Sequence, residues 1–367
     1  MNSDSGRALA AHQGDLRFQA AMLPGVSRTF ALTIPVLPAG LADVVANAYL
    51  LCRLADTIED DVGLDSRAKT AFHGQLVAVV RGDGDAASFA SALEPLLSGR
   101  TLTAERELVI HAGRIIRITH SFAPADQQAI VQCLTKMCAG MPEFQRQKGL
   151  GGLVDLDEMA AYCYVVAGVV GEMLTELFCA HRPSLDGHRH ELMRLAPAFG
   201  QGLQMTNILK DVWEDRRAQT CWLPRCVFGT SFDLARLDEL HATTEYRRGM
   251  EQLVGIAHHH LRVALDYALL VPAHETGLRR FCLWAIGLAV LTLRKVLRQC
   301  GQRRADRVKI SRRSVATALS TVSMMSRSDR GLRVLFRCAS AGLPLVATGS
   351  AAAFALPGRR QTGASRA

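Results

Sequence analysis

The chain has 367 residues, of which 49 % are hydrophobic and only 6 % aromatic, enough apolar material for a sizeable core and a balance that favours helix over sheet. Its formal net charge is +9, but thirteen Lys and Arg between Arg294 and Arg337 stand against Asp306 and Asp329, a net of +11 that leaves the rest of the chain near −2. Ten cysteines without CxxC pairs or zinc spacing argue against a disulfide framework and fit reduced thiols in a cytoplasmic protein.

Residues 1–19 are polar, carry acids and lack the apolar core of a secretory signal, so they read as an N-terminal tail. From Leu41, the apolar residues Val44, Val45, Ala48, Cys52 and Ala55 follow helical spacing. Further helices are predicted over roughly 104–120, 125–139, 157–180, 188–214, 245–270 and 276–300, with breakers at Pro124, Gly149–Gly152, Pro183, Pro224 and Pro272. No alternating strand run occurs, so residues 20–300 read as one all-α domain. The stretch 301–337 continues as a basic helical extension, suited to an anionic surface or to solvent. Residues 338–367 form a tail that is uncharged from Cys338 to Gly358 and basic after it. Its uncharged run has the length of a membrane span, yet Gly342, Pro344, Gly349, Pro357 and many alanines point to disorder or an interfacial segment.

Chemistry enters with an acidic motif that occurs twice. Asp56, Glu59 and Asp60 fit D-x-x-E-D, and so do Asp211, Glu214 and Asp215, about 155 residues later. At about 100° per residue, the aspartates of each motif project within ~40° of each other. Tyr49, Arg53, Asp56 and Asp60 line one stripe; Gln204, Asn207, Asp211 and Asp215 line another. A polar stripe on an otherwise apolar helix is costly unless it faces a wet, charged cavity. Carboxylates this close repel, and a hard divalent cation relieves them, as in a magnesium site. Two such sites facing each other would clamp a diphosphate.

At these residues the chain resembles the squalene/phytoene synthase family. The matching segments are Ser27-Arg28-Thr29-Phe30, YLLCRLADTIEDD from Tyr49, YCYVVAGVVGEM from Tyr162, and QMTNILKDVWED from Gln204 with WLP at Trp222. They cover roughly residues 20–300. The resemblance implies an isoprenoid synthase fold, a single helical domain around a central cavity. It implies Mg2+ held by Asp56, Glu59, Asp60, Asp211, Glu214 and Asp215. Ser27, Arg28, Tyr49 and Arg53 match substrate positions, with Gln204 and Asn207 beside the second cluster. Lys210 stands where the family often has Arg, not a neutral change for a phosphate contact. Tyr162 matches a tyrosine credited with catalysis. On continuous helical geometry it shares a face with Val165, Val166, Val169 and Met173, while Gly168 and Gly171 lie opposite, where a neighbouring helix can approach.

The implied reaction joins two farnesyl diphosphates head to head through presqualene diphosphate. Reduction by NADPH then gives squalene; the alternatives are a dehydrosqualene or phytoene synthase, which omits the hydride, and a presqualene diphosphate synthase, which stops at the intermediate. The stretch Phe281–Leu293 is similar to the squalene-forming branch, with Phe281 and Cys282 as expected cofactor contacts, although Ala285 replaces the family's proline. No strand–GxGxxG–helix unit is present, and Gly200-Gln201-Gly202 is too weak a fragment to serve as one. Rival readings are a metal-dependent diphosphate hydrolase and a non-catalytic membrane-surface protein. The resemblance implies no nucleic-acid partner and allows a cytoplasmic enzyme peripheral to a membrane. His258–His260 read as surface residues, Cys163 has no partner for nucleophilic chemistry, and Gly149–Gly152 reads as a flexible connection.

Overall fold

The structure, a computed structural model, describes residues 2–27, 29–145, 149–302 and 308–346. Among the described residues there is no strand, only an isolated parallel bridge between Leu153 and Pro224. The first half of the chain carries α1 (Asn2–Val26), α2 (Phe30–Thr33), α3 (Leu41–Asp60), α4 (Ser66–Arg81), α5 (Ala86–Leu93), α6 (Thr103–Ile110), α7 (Ala112–Ser121) and α8 (Pro124–Gln145). The second half carries α9 (Leu156–Cys163), α10 (Val169–His181), α11 (Arg189–Arg217), α12 (Leu237–Leu240), α13 (Thr244–Leu270), α14 (Thr276–Gln299), α15 (Arg312–Met325) and α16 (Asp329–Ser340). The expected all-α architecture is the observed one among the described residues.

Local signals start and stop these helices. Asp65 accepts from the Ala68 amide at 2.7 Å and opens α4, which ends on Gly82 in the left-handed region at φ +93°. Asp155 accepts from the Glu158 amide at 2.9 Å and opens α9. Pro124, expected as a breaker, occupies the first position of α8, where its missing N–H costs nothing.

The N-terminal tail proves to be a helix. In α1, buried Asp15 accepts from Arg114 Nε at 2.8 Å and pairs with Arg117, while Gln19 Nε2 donates to the Asp43 carbonyl at 2.9 Å. Asn47 of α3 donates to Gln19 and to the Ile115 carbonyl, so α1, α3 and α7 share one buried polar network. The expected boundary at residue 20 therefore falls inside an element. The predicted helix over 104–120 is two helices that break at His111.

The centre of the molecule is α11, which packs along α13 and against α10. Glycine permits the second contact. A Cβ on Gly171 would lie 2.3 Å from the Ala196 carbonyl oxygen, and one on Gly200 would lie 2.0 Å from that of Ala167. Helices 9 and 10 are joined by a π-helical segment, Tyr164–Gly168. Tyr164 folds its ring over Gly168 and donates to Glu172 at 2.9 Å, and Lys136 of α8 holds the same carboxylate at 2.7 Å. The stretch Leu156–His181 is long and apolar enough to cross a membrane, but 61 % of its apolar window is buried inside the fold, as in a core helix.

The basic extension is docked. Arg279 of α14, 2 % exposed, donates to the carbonyls of Val271 and Ser326 and pairs with Asp329 at 2.7 Å, tying α14 to the α15–α16 turn. Trp284 Nε1 donates to Ser323 Oγ at 3.1 Å. Beyond α16 the chain crosses α13: His258 Nδ1 lies 2.8 Å from the Pro344 oxygen, and the Val346 amide donates to the Gly255 carbonyl at 3.3 Å. His258 and His260 are consequently buried, not superficial; His260 packs over Gly202 of α11, and burial pushes its pKa down to about 4, with His259 adding to the shift. The remainder of the tail, from residue 347, lies outside the described residues.

Candidate active site

From Val44 to Asp60 every residue of α3 is buried except Tyr49, Arg53, Asp56 and Asp60. The stripe read from spacing is thus the one opening in an otherwise sealed helix face. Asp56 has a third of its side chain exposed and lies 3.7 Å from Arg53 Nη1. Its pKa is pushed up to about 7: burial dominates, Arg53 opposes it, and Asp60 and Glu105 add to it. Arg53 also makes a close ion pair with Glu105, a residue 8 % exposed in the first turn of α6. Burial works against the Arg53 cation, yet Asp56 and Glu105 together hold its pKa above the ordinary value.

Two neighbouring carboxylates, Glu59 within the motif and Asp61 just after it, differ in kind. Glu59 is buried, off the stripe, and its backbone oxygen accepts from Lys69 Nζ. Asp61 is structural. Although burial opposes its charge, hydrogen bonds from Thr101, Gly63 and Ser98 outweigh it and lower its pKa.

The second stripe lies on α11, where Gln204, Asp211, Glu214 and Asp215 are half-buried and Asn207 is exposed, backed by buried Met205, Ile208, Leu209 and Val212. Lys210 Nζ donates to Asn207 at 3.2 Å and pairs with Asp211 at 3.0 Å. Asp215 is pushed up to about 7, by burial first and then by Asp211, by Asp60 from α3 and by Glu214, with Lys210 opposing. The influence of Asp60 on Asp215 puts the two motifs within electrostatic range of each other. Among the described residues no three His, Cys, Asp or Glu converge as a preformed metal cluster.

Tyr162 sits within electrostatic range of the first stripe and against an aromatic wall. Its ring stacks on Trp222 at 4.0 Å and 7°, and Phe144 of α8 meets it edge-on at 5.3 Å. Burial, then Asp60, raises its pKa well above the ordinary value, so it is a neutral phenol. Trp222 is held by backbone pairing of 149–153 with 221–225: Leu153 N donates to the Leu223 oxygen at 2.9 Å, and Arg225 N to the Leu153 oxygen at 2.8 Å. Gly152, at φ +73°, allows Leu223 to approach. The glycine cluster is therefore a clasp and not a flexible connection. The π segment adds a residue just after Tyr162, so Val169 and Met173 do not share its face as continuous helical spacing predicted.

Ser27 accepts from the Phe30 amide at 3.0 Å and also acts on Tyr49, whose hydroxyl donates to the Val26 carbonyl at 3.2 Å. Arg28, expected beside it, lies outside the described residues. Phe281 packs against Phe30 and Phe178, and both Phe281 and Cys282 are buried, at 2 % and 0 % exposure. Neither offers a face to a dinucleotide, because α14 turns them into the core. Ala285 is buried on the same helix. Glu105, Trp222 and Phe144 escaped the sequence reading; only Trp222, in the WLP segment, carried a signal there.

The sequence pattern described as squalene/phytoene synthase matches residues 23–314. The chain is 28 % identical over 276 residues to the squalene synthase of Eremothecium gossypii, a match covering 74 % of this chain and 60 % of that protein, so it spans about three-fifths of that relative. In fold it is similar to TcSQS in a ligand complex, with a TM-score of 0.76 at 23 % identity over 93 % of this chain and 95 % of that one. It is also similar to a dehydrosqualene synthase in a ligand complex, with a TM-score of 0.64 at 22 % identity over 86 % and 98 %. A match that runs through both acidic helices and most of the chain leaves one assignment: the chain belongs to the squalene/phytoene synthase family.

Proposed function

We propose that the protein is a prenyltransferase that couples two farnesyl diphosphates head to head, through presqualene diphosphate, towards squalene. The observation that carries this reading is the stripe of Tyr49, Arg53, Asp56 and Asp60, the four residues of α3 from Val44 to Asp60 that are not buried, set within electrostatic range of a second acidic stripe on α11. The donor set fits magnesium: all are hard carboxylate oxygens, and Asp56 and Asp215 are lifted to about 7. Asp56, Asp60, Asp211 and Asp215 would hold it, with Glu214 alongside and Glu59 set back in the core. When bound, magnesium supplies positive charge against the departing diphosphate. Arg53 and Lys210, each about a third exposed beside an aspartate, bind and orient the same diphosphates, with Ser27 and Tyr49 at the neighbouring end of α3. Tyr162, kept neutral, holds its hydroxyl for a proton or a developing cation, and Trp222 and Phe144 keep water from its ring.

The residues expected at NADPH do not fit it, since Phe281 and Cys282 are enclosed, and no step is assigned to a reductant. That closure, with Ala285 in place of the family's proline, favours a second reading in which the coupled product loses a proton instead of gaining hydride. The relatives named squalene synthases support the first. Incubation with labelled farnesyl diphosphate and magnesium, with and without NADPH, decides between them: squalene only with NADPH supports the first, and dehydrosqualene indifferent to NADPH the second. Release of prenyl alcohol alone would make the protein a hydrolase.

Peripheral membrane association belongs to the same proposal. Arg330 and Arg337 are exposed on α16 with Val334, while Arg333 pairs with Asp266 of α13 at 2.8 Å; Met324 of α15 is 82 % exposed. Basic and apolar groups on one surface suit an anionic bilayer.

A further inference from the structure

Arg53 has two carboxylates within reach and uses them unequally. Its Nη2 makes a close contact with Glu105, whereas its Nη1 stands 3.7 Å from Asp56, beyond hydrogen-bond range. Asp56 is one turn away on the same helix, an arrangement that ordinarily favours a local pair. Glu105 wins because it is fixed. It is buried, and its other oxygen accepts from the Leu102 amide at 3.3 Å, at the start of α6, where the helix dipole favours an anion. Nothing in the sequence links the two residues, which are 52 positions apart.

We propose that Glu105 is a positioning residue that holds Arg53 away from Asp56, so that Asp56 stays open to a divalent cation and Arg53 stays presented to a diphosphate. The inference rests on the reading of Asp56 as a metal ligand. Without the Glu105 charge, Arg53 closes on Asp56, and that internal ion pair competes with the metal. Glu105 has no contact with substrate in this scheme; apart from the direct effect of its charge on Asp56, it acts through Arg53, and the Arg53→Gln background isolates that part.

The test is a binding measurement that needs no turnover. Titration calorimetry of Mg2+ in the presence of inorganic diphosphate is run on the full chain, on Glu105→Gln, on Arg53→Gln and on the double variant. Glu105→Gln keeps the size of the side chain and is expected to raise the Mg2+ concentration for half-saturation about tenfold, the scale of one charge-assisted contact. In the Arg53→Gln background the same change is expected to shift it less than twofold. An unchanged value for Glu105→Gln, or an equal shift in both backgrounds, overturns the proposal. Asp56→Asn separates the two layers: undiminished Mg2+ binding there removes the metal reading and the proposal with it, whereas weakened binding there with an unaffected Glu105→Gln removes only the proposal. Thermal unfolding checks that each variant folds, and Glu105→Asp, which leaves the carboxylate one methylene short of Arg53, carries the comparison if the glutamine variant does not.

Discussion

At the scale of single residues, the aspartates hold the most direct predictions. Asp56 and Asp215 are lifted to about 7 from an ordinary value of 3.8. A carboxyl raised in the folded state binds its proton more tightly there than in the unfolded chain, so its stabilising contribution is complete below pH ~4 and is lost as pH rises through ~7. The metal-free protein is therefore expected to lose thermal stability between about pH 4 and 7, and magnesium is expected to restore it above that range. A melting temperature that ignores magnesium at pH 8 would count against the site. Asp56→Asn or Asp211→Asn should each lower turnover by more than ~100-fold, read from initial rates at saturating magnesium. Tyr162→Phe removes only a hydroxyl from a ring held by Trp222 and Phe144. It should keep its melting temperature and lose formation of the cyclopropyl diphosphate; wild-type rates in a folded variant would leave Tyr162 a packing residue.

At the scale of elements, legibility followed distance along the chain. The stripe of Tyr49, Arg53, Asp56 and Asp60 was readable because helical spacing is local, and burial isolates those four positions. Glu105 was not, because its pairing with Arg53 is set by how α6 packs on α3. The face of Tyr162 was misread because one extra residue in the π segment rotates everything after it. His258 and His260 look superficial in sequence, but α11 and the segment after α16 cover them. Gly168 and Gly171 were expected to admit a neighbouring helix; Gly171 admits α11, whose Gly200 meets the Ala167 carbonyl, whereas the open side of Gly168 is filled by the ring of Tyr164. Gly200→Ala should destabilise the fold by about 3 kcal/mol, because the new methyl meets backbone that cannot swing aside. Chemical denaturation measures this, and a loss under about 0.5 kcal/mol would mean that α10 and α11 can slide apart.

At the scale of the whole molecule, the C-terminal helices are part of the body and also its most basic surface. Replacing Arg330 and Arg337 by Glu should abolish sedimentation with anionic vesicles while leaving the far-ultraviolet spectrum unchanged, since both side chains point outward. Equal sedimentation of the variant would move any membrane contact elsewhere. Arg279→Ala should cost about 3 kcal/mol, because several buried carbonyls lose one charged donor; an unchanged unfolding midpoint would show that α15 and α16 dock without it. That docking also orders events during synthesis. The side of α14 that carries Arg279 and Trp284 is finished only when Ser323, Ser326 and Asp329 arrive, some fifty residues later. At ribosomal speeds of about 5–20 residues per second, it stays bare for roughly 2–10 s on every nascent chain. The nascent protein is thus open to chaperones and to aggregation while residues 300–329 are being made, on a helix whose own residues emerged before them.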